Sequence, residues 1–132
     1  MPILLATVAC VSGVAVPASC MLIYKILLPA EWAQFQTAGR FDGSPFDRTS
    51  GYIHLSTREQ VAGTATRRFA DEGPLVVLAV DAHALGDQLR WETVPNGGLY
   101  PHLYGSLNVS TVVAVHQVPG AAAVEETLTR AE

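Results

Sequence analysis

The sequence predicts an α+β fold of about five or six strands and two helices, and three observations carry it. Strand-length runs that are apolar or alternate in polarity recur at residues 22–28, 52–55, 75–80, 89–94 and 109–118. Two helical patterns fall in the N-terminal half, whereas the C-terminal half reads almost entirely as strand, which argues against a doubly wound parallel sheet. No repeat, low-complexity tract or linker divides the 132 residues, so one domain with a sizeable core is expected.

Residues 22–28 (L-I-Y-K-I-L-L) form a mostly apolar run that places Tyr24 and Ile26 on one face and Lys25 on the other. Pro29 and Glu31 open a helix, because proline suits the first turn and a carboxylate there complements the dipole. Trp32 and Phe35 supply its apolar stripe, and Gly39 supplies its stop. The Gly, Ser, Pro and Asp content of residues 43–50 predicts a surface loop. Residues 51–60 (G-Y-I-H-L-S-T-R-E-Q) then pass from loop through strand to helix. Alternation puts Ile53 and Leu55 on one face of this strand, with Tyr52, His54 and Ser56 on the other. Thr57 and Gln60 make a capping box, so a helix should start near Arg58 and run to Ala70, burying Val61, Ala62, Ala65 and Phe69.

Residues 75–80 (L-V-V-L-A-V) hold no polar side chain, as expected of a strand buried on both faces. A turn or single helical turn follows at 81–86. The strand at 89–94 then carries Arg90 and Glu92 opposite Trp91, and the P-N-G-G cluster at 95–98 makes a turn. Pro101 interrupts the aromatic stretch 99–107, which therefore reads as an irregular edge or loop. The last strand, 109–118, ends at Pro119, and residues 119–132 read as a polar, weakly helical, loosely attached tail.

A net charge of −4 and an isoelectric point near 5.5 give no basic surface for general nucleic-acid binding. Residues 1–20 are apolar and hold both cysteines, Cys10 and Cys20. A secretory signal, which would export the protein, lacks its basic start here, a lipoprotein signal meets Pro17, and a membrane span is broken by Gly13 and Pro17. We favour a natural start at Met21, with residues 1–20 an upstream extension and the domain at 21–118 cytoplasmic and free of membrane. With no cysteine after Cys20, neither a disulfide framework nor a cysteine metal site is expected in the domain.

If the aromatic bend around His102 folds back over the strand ends, His54, Ser56, Thr57, Glu92, His102 and Tyr104 line one cleft. These residues offer donors for ribose hydroxyls or phosphate, faces for stacking a planar ring, and a carboxylate to stabilise positive charge. We take His54, Glu92 and His102 as candidate catalytic residues. Tyr24, Ser56, Thr57, Arg90, Tyr104 and Gly105 are the candidate substrate contacts. A plainer account exists for several of them: Ser56 and Thr57 are explained as helix caps, and a strand histidine can be purely structural. The histidines lack H-x-H or H-x-x-x-H spacing, so no metal ligand is assigned. P-loop, G-x-G-x-x-G and G-x-S-x-G motifs are absent.

From residue 21 to about 118, the chain resembles the bacterial family known as domain of unknown function 952. The marks are I-Y-K-I at 23–26, E-W at 31–32, G-Y-I-H-L-S-T-R-E-Q at 51–60, V-D at 80–81, R-W-E at 90–92 and Y-P-H-L-Y-G at 100–105. The family's fold is similar to that of ADP-ribosyltransferases and RNA 2′-phosphotransferases, and I-H-L-S at 53–56 is similar to a V-H-L-S strand of the latter. Tyr24-Lys25 stands where those enzymes carry a first-strand histidine. This resemblance implies a split β-sheet and a transferase-like enzyme binding NAD, ADP-ribose or a related nucleotide. The alternatives are a non-catalytic small-molecule binding module and a zinc-dependent hydrolase using His54 and His102.

Overall fold

A computed structural model describes residues 21–95 and 97–132. The readings made for residues 1–20, and Asn96 in the predicted turn, lie outside them. Among the described residues there are eight strands: β1 (Leu22–Leu27), β2 (Arg40–Phe41), β3 (Ile53–His54), β4 (Leu75–Asp81), β5 (Leu89–Thr93), β6 (Leu99–Leu103), β7 (Leu107–Asn108) and β8 (Val112–Val118). Four α-helices accompany them: α1 (Pro29–Ala38), α2 (Pro45–Ser50), α3 (Val61–Phe69) and α4 (Val124–Ala131). The architecture is α+β, as the strand and helix patterns predict, with more short elements than the sequence displays.

The strands pair antiparallel into three sheets, ordered β1-β4-β8, β2-β7 and β3-β6-β5. The all-apolar strand β4 is central in the first, and six of its residues are buried. One face, with Val76, Leu78 and Val80, packs with Ile23, Leu27, Phe35, Ile53, Leu55 and Leu103. The other, with Leu75, Val77 and Ala79, packs with Tyr24, Ile26, Val61, Ala65, Val124 and Leu128. The stretch 51–60 ties the sheets together: Ile53 and His54 pair with β6, then Tyr24 and Ser56 exchange two backbone hydrogen bonds of 2.7 and 2.9 Å.

Four expectations need correction. Residues 43–50 are not a loop throughout. Ser44 caps α2, accepting from the Asp47 backbone N–H, while the Asp47 carboxylate accepts from Ser44 N–H, with Pro45 in the first turn. The aromatic stretch is not an irregular edge either, since β6 is the middle strand of its sheet. Pro101 is tolerated because its nitrogen faces β3, where Leu55 N–H donates to the Pro101 carbonyl at 3.1 Å and no return bond can form. The missing donor ends β3 after two residues and leaves the β5 side intact.

The helix expected near Arg58 forms its reciprocal Thr57–Gln60 capping bonds, yet regular helix begins at Val61 after one turn. The final segment is α4 rather than a loose tail. Val124 and Leu128 are buried, and Arg58 binds Glu125, Thr129 and Glu132 on it. Two apolar residues at i, i+4 make too short a stripe to announce an eight-residue amphipathic helix that needs a tertiary partner. No described helix is long and apolar enough to cross a membrane.

Candidate functional site

The polar face of the β3-β6-β5 sheet carries the site. His54 pairs with His102 across β3 and β6, His102 with Arg90 across β6 and β5, and Glu92 with Tyr100 one step along. Period-2 alternation therefore gathers Tyr52, His54, Tyr100, His102, Tyr104, Arg90 and Glu92 on one surface. Ile53 and Leu103 turn into the core behind it.

Each histidine is held at Nδ1 by a carboxylate. His54 Nδ1 lies 2.6 Å from Asp47 Oδ1, and His102 Nδ1 lies 2.7 Å from Glu92 Oε1. An ionised carboxylate only accepts, so both Nδ1 atoms carry their proton and each Nε2 is left for a ligand. The rings meet edge to face with centroids 5.7 Å apart. Phe46 stacks on His54 at 4.4 Å and Tyr52 on His102 at 4.1 Å, fixing both imidazole planes.

The carboxylates differ in their surroundings. Asp47 is 1% exposed. Its Oδ2 accepts from Lys25 Nζ at 2.9 Å, and its Oδ1 also accepts from the His54 backbone N–H at 3.1 Å. Burial pushes its pKa up, but the His54 bond, the Lys25 charge and the Ser44 N–H together hold it well below the usual carboxylate range. Burial lowers the Lys25 pKa against the opposing pull of Asp47, and the ammonium also donates to the His54 carbonyl at 3.1 Å. Glu92 is more exposed, and its pKa is lowered first by the bond from His102 and then by Tyr104, whose hydroxyl donates to Oε1 at 2.8 Å. The same bond raises the Tyr104 pKa.

A cleft of about 350 Å³ opens beside the two rings, lined by Phe46, Tyr52, His54, Ser56, Thr64, Arg67, Arg68, Tyr100 and His102 among others. A wider groove of about 620 Å³ along α1 and β2 contains none of the histidines.

Of the residues singled out from the sequence, His54, His102 and Glu92 converge, Tyr104 joins them through Glu92, and Ser56 lines the cleft. Arg90 stacks over the Tyr104 ring at 4.7 Å, on the outer side. Three others lie elsewhere. The Tyr24 side chain is buried in the core against α3 and α4, so it offers no stacking face. Thr57 is spent on the capping box, and Gly105 makes room for the Gln88 side chain.

Sequence reasoning missed Asp47 and Lys25, and it passed over Phe46, Arg67, Arg68 and Tyr100. The S-P-F-D pattern at 44–47 was the available signal, since it caps a helix through a buried aspartate. Nothing local announces Lys25, whose burial depends on a partner 22 residues away. Among the described residues, no three His, Cys, Asp or Glu side chains gather as a metal site. The carboxylates that a zinc reading would recruit are occupied at Nδ1.

Fold and site together define a small α+β protein that presents two histidine–carboxylate pairs on one sheet face beside an open cleft. The chain belongs to the family described as protein of unknown function (DUF952), whose model matches residues 26–115. It is similar to protein CC0527 from Caulobacter crescentus. The crystal structure of that protein is 47% identical, with a TM-score of 0.70 over 73% of this chain and 84% of the other. Its solution structure is 46% identical, with a TM-score of 0.67 over 74% and 84%. Comparison with curated proteins finds no match.

Proposed function

We propose that the protein is a transferase-like enzyme acting on a nucleotide-type ligand, with His54 and His102 as its acid–base pair. The observation that carries this reading is the paired arrangement itself, two imidazoles with carboxylate-held Nδ1 meeting in one cleft. One imidazole, neutral at the start, takes at Nε2 the proton of an attacking hydroxyl, while the other, entering as imidazolium, delivers its Nε2 proton to the leaving oxygen, and each carboxylate steadies the charged form of its own partner. Glu92 acts through His102 in this scheme, in place of a direct contact to ribose. Phe46, Tyr52 and Tyr100 offer faces for a planar base. A cleft near the lower end of the range for ligand pockets, about 300–1000 Å³, suits a mononucleotide-sized portion of NAD, ADP-ribose or a simpler nucleotide. Kinship with the ADP-ribosyltransferases is part of this proposal.

One observation favours the second reading, a binding module without chemistry: His102 is only 4% exposed, largely covered by Tyr52. The test is thermal denaturation of the purified protein with NAD, ADP-ribose and nucleoside phosphates, alongside His54→Ala. The expected outcome is a shift with at least one of them that His54→Ala loses. No shift with any, and no difference in His54→Ala, sinks the proposal. A shift without turnover that Glu92→Gln leaves untouched supports the binding module instead.

A further inference from the structure

We infer that the α3 end of the cleft is a seat for a phosphate group, built from Arg67, Thr64, Tyr100 and Arg68. The inference rests on the reading of this cleft as a nucleotide site and adds which end holds the anion and which residues grip it.

Arg67 Nη2 donates to the Tyr100 hydroxyl at 3.1 Å and to Thr64 Oγ1 at 3.4 Å. Ser56 Oγ donates to Thr64 Oγ1 at 3.0 Å. Thr64 and Tyr100 thus receive hydrogen bonds from Arg67, and one hydroxyl proton of the Ser56–Thr64 pair, together with that of Tyr100, has no acceptor among the described residues. Helical threonines commonly return that proton to the carbonyl four residues back, as Thr66 does to Ala62 at 3.2 Å. Thr64 makes no such bond, and its side chain lines the cleft. The cluster is therefore rich in donors: two hydroxyl protons and the remaining guanidinium N–H groups lack an acceptor.

Charge points the same way. Among the described residues, Arg48, Arg67, Arg68 and Arg90 have no carboxylate within ion-pair distance, and of these Arg67 and Arg68 line the cleft. Two uncompensated guanidiniums at one end of one cleft stand out in a chain of net charge −4. Arg68 is held 3.9 Å over the Phe46 ring, the ring that stacks on His54, so its charge is fixed beside the proposed acid–base pair. A tetrahedral oxyanion, acceptor-only and multiply charged, is the complement of such a cluster.

The experiment compares adenosine, adenosine 5′-monophosphate and inorganic phosphate by calorimetry and by amide and guanidinium NMR shifts. The variants are Arg67→Gln and Tyr100→Phe, with Arg40→Gln as a charge-matched control on the other groove. The nucleotide should bind about tenfold or more tightly than the nucleoside. Arg67→Gln should abolish that preference, Tyr100→Phe should reduce it, and Arg40→Gln should preserve it. Equal binding of nucleoside and nucleotide overturns the phosphate seat while leaving the nucleotide cleft standing. Phosphate alone perturbing Thr64, Arg67 and Tyr100, with neither adenosine compound bound, supports the seat and overturns the nucleotide reading. Silence of these residues to phosphate and to the monophosphate overturns both.

Discussion

Lys25 and Asp47 form a buried ion pair, 2.9 Å from Nζ to Oδ2, directly behind the His54 imidazole. Strand β1 supplies the cation and α2 the anion, so the pair fastens β1 to the short helix whose Asp47 also holds His54. Breaking one side strands a charge in the interior, at about 3–5 kcal/mol. Lys25→Met and Asp47→Asn should each lower the urea-unfolding free energy by that order. Lys25→Met combined with Asp47→Asn should cost less than the two single losses added, because the amide oxygen still accepts from Ser44 or His54. Additive losses in the double variant would show that the pair is not coupled.

Acid should release the same fastening. The Asp47 pKa is depressed in the folded protein, where the His54, Lys25 and Ser44 hydrogen bonds overcome its burial, relative to about 3.9 in an unfolded chain. The unfolded state consequently binds more protons as pH falls, and the stabilisation is complete above about pH 5 and drains away below about pH 4. Glu92, depressed by His102 and Tyr104, adds in the same direction. Melting temperature recorded from pH 7 to pH 2 should fall most steeply below pH 4, and Lys25→Met should flatten that limb. An acid limb unchanged by Lys25→Met contradicts the assignment to Asp47.

The two histidines should matter more than the carboxylate exposed beside one of them. With whichever nucleotide stabilises the protein as substrate, His54→Ala and His102→Ala should each reduce turnover by about 10²–10⁴-fold. Glu92→Gln should lie between those variants and the parent, because a glutamine oxygen still accepts from Nδ1. Steady-state kcat measurements decide the point. Turnover equal to the parent in either histidine variant removes that residue from the chemistry.

The C-terminal helix should behave as part of the core. Leu128, buried against Val61 and Val124, is expected to cost about 2–5 kcal/mol on replacement by alanine. Arg58→Ala, which removes exposed ion pairs to Glu125 and Glu132, should cost at most about 1 kcal/mol. Denaturant midpoints of the two variants give the comparison, and a Leu128→Ala protein as stable as the parent would mean that α4 is not anchored there.

Much of this arrangement is legible in the residues themselves. The apolar run of β4, the Pro29 start and Gly39 stop of α1, and the Ile53/Leu55 alternation are local signals that the tertiary structure leaves unopposed. The convergence of His54, Glu92 and His102 could be expected once their strands were assigned to one side of the chain. What stayed hidden depends on distant partners. Pro101 looked like a breaker because the direction its nitrogen faces is a property of the sheet. Tyr24 offers no stacking face because α3 and α4 cover its strand, which no local pattern reveals. Asp47 looked like a loop residue because a six-residue helix carries too few turns to show a period.

The strand that aligns the histidines makes only two rungs with its neighbour, Ile53 to Leu103 and His54 to His102. A ladder this short has little stability of its own, and a slip of one residue would turn His54 inward and Ile53 outward. Alignment of the pair is therefore a local equilibrium, set by the Tyr24–Ser56 bridge on one side and the Asp47 hydrogen bonds on the other. Such a slip would also carry Ile53 out of the first hydrophobic cluster, so the alignment and that cluster stand or fall together, and loss of ligand response on warming should coincide with loosening of this face of β4.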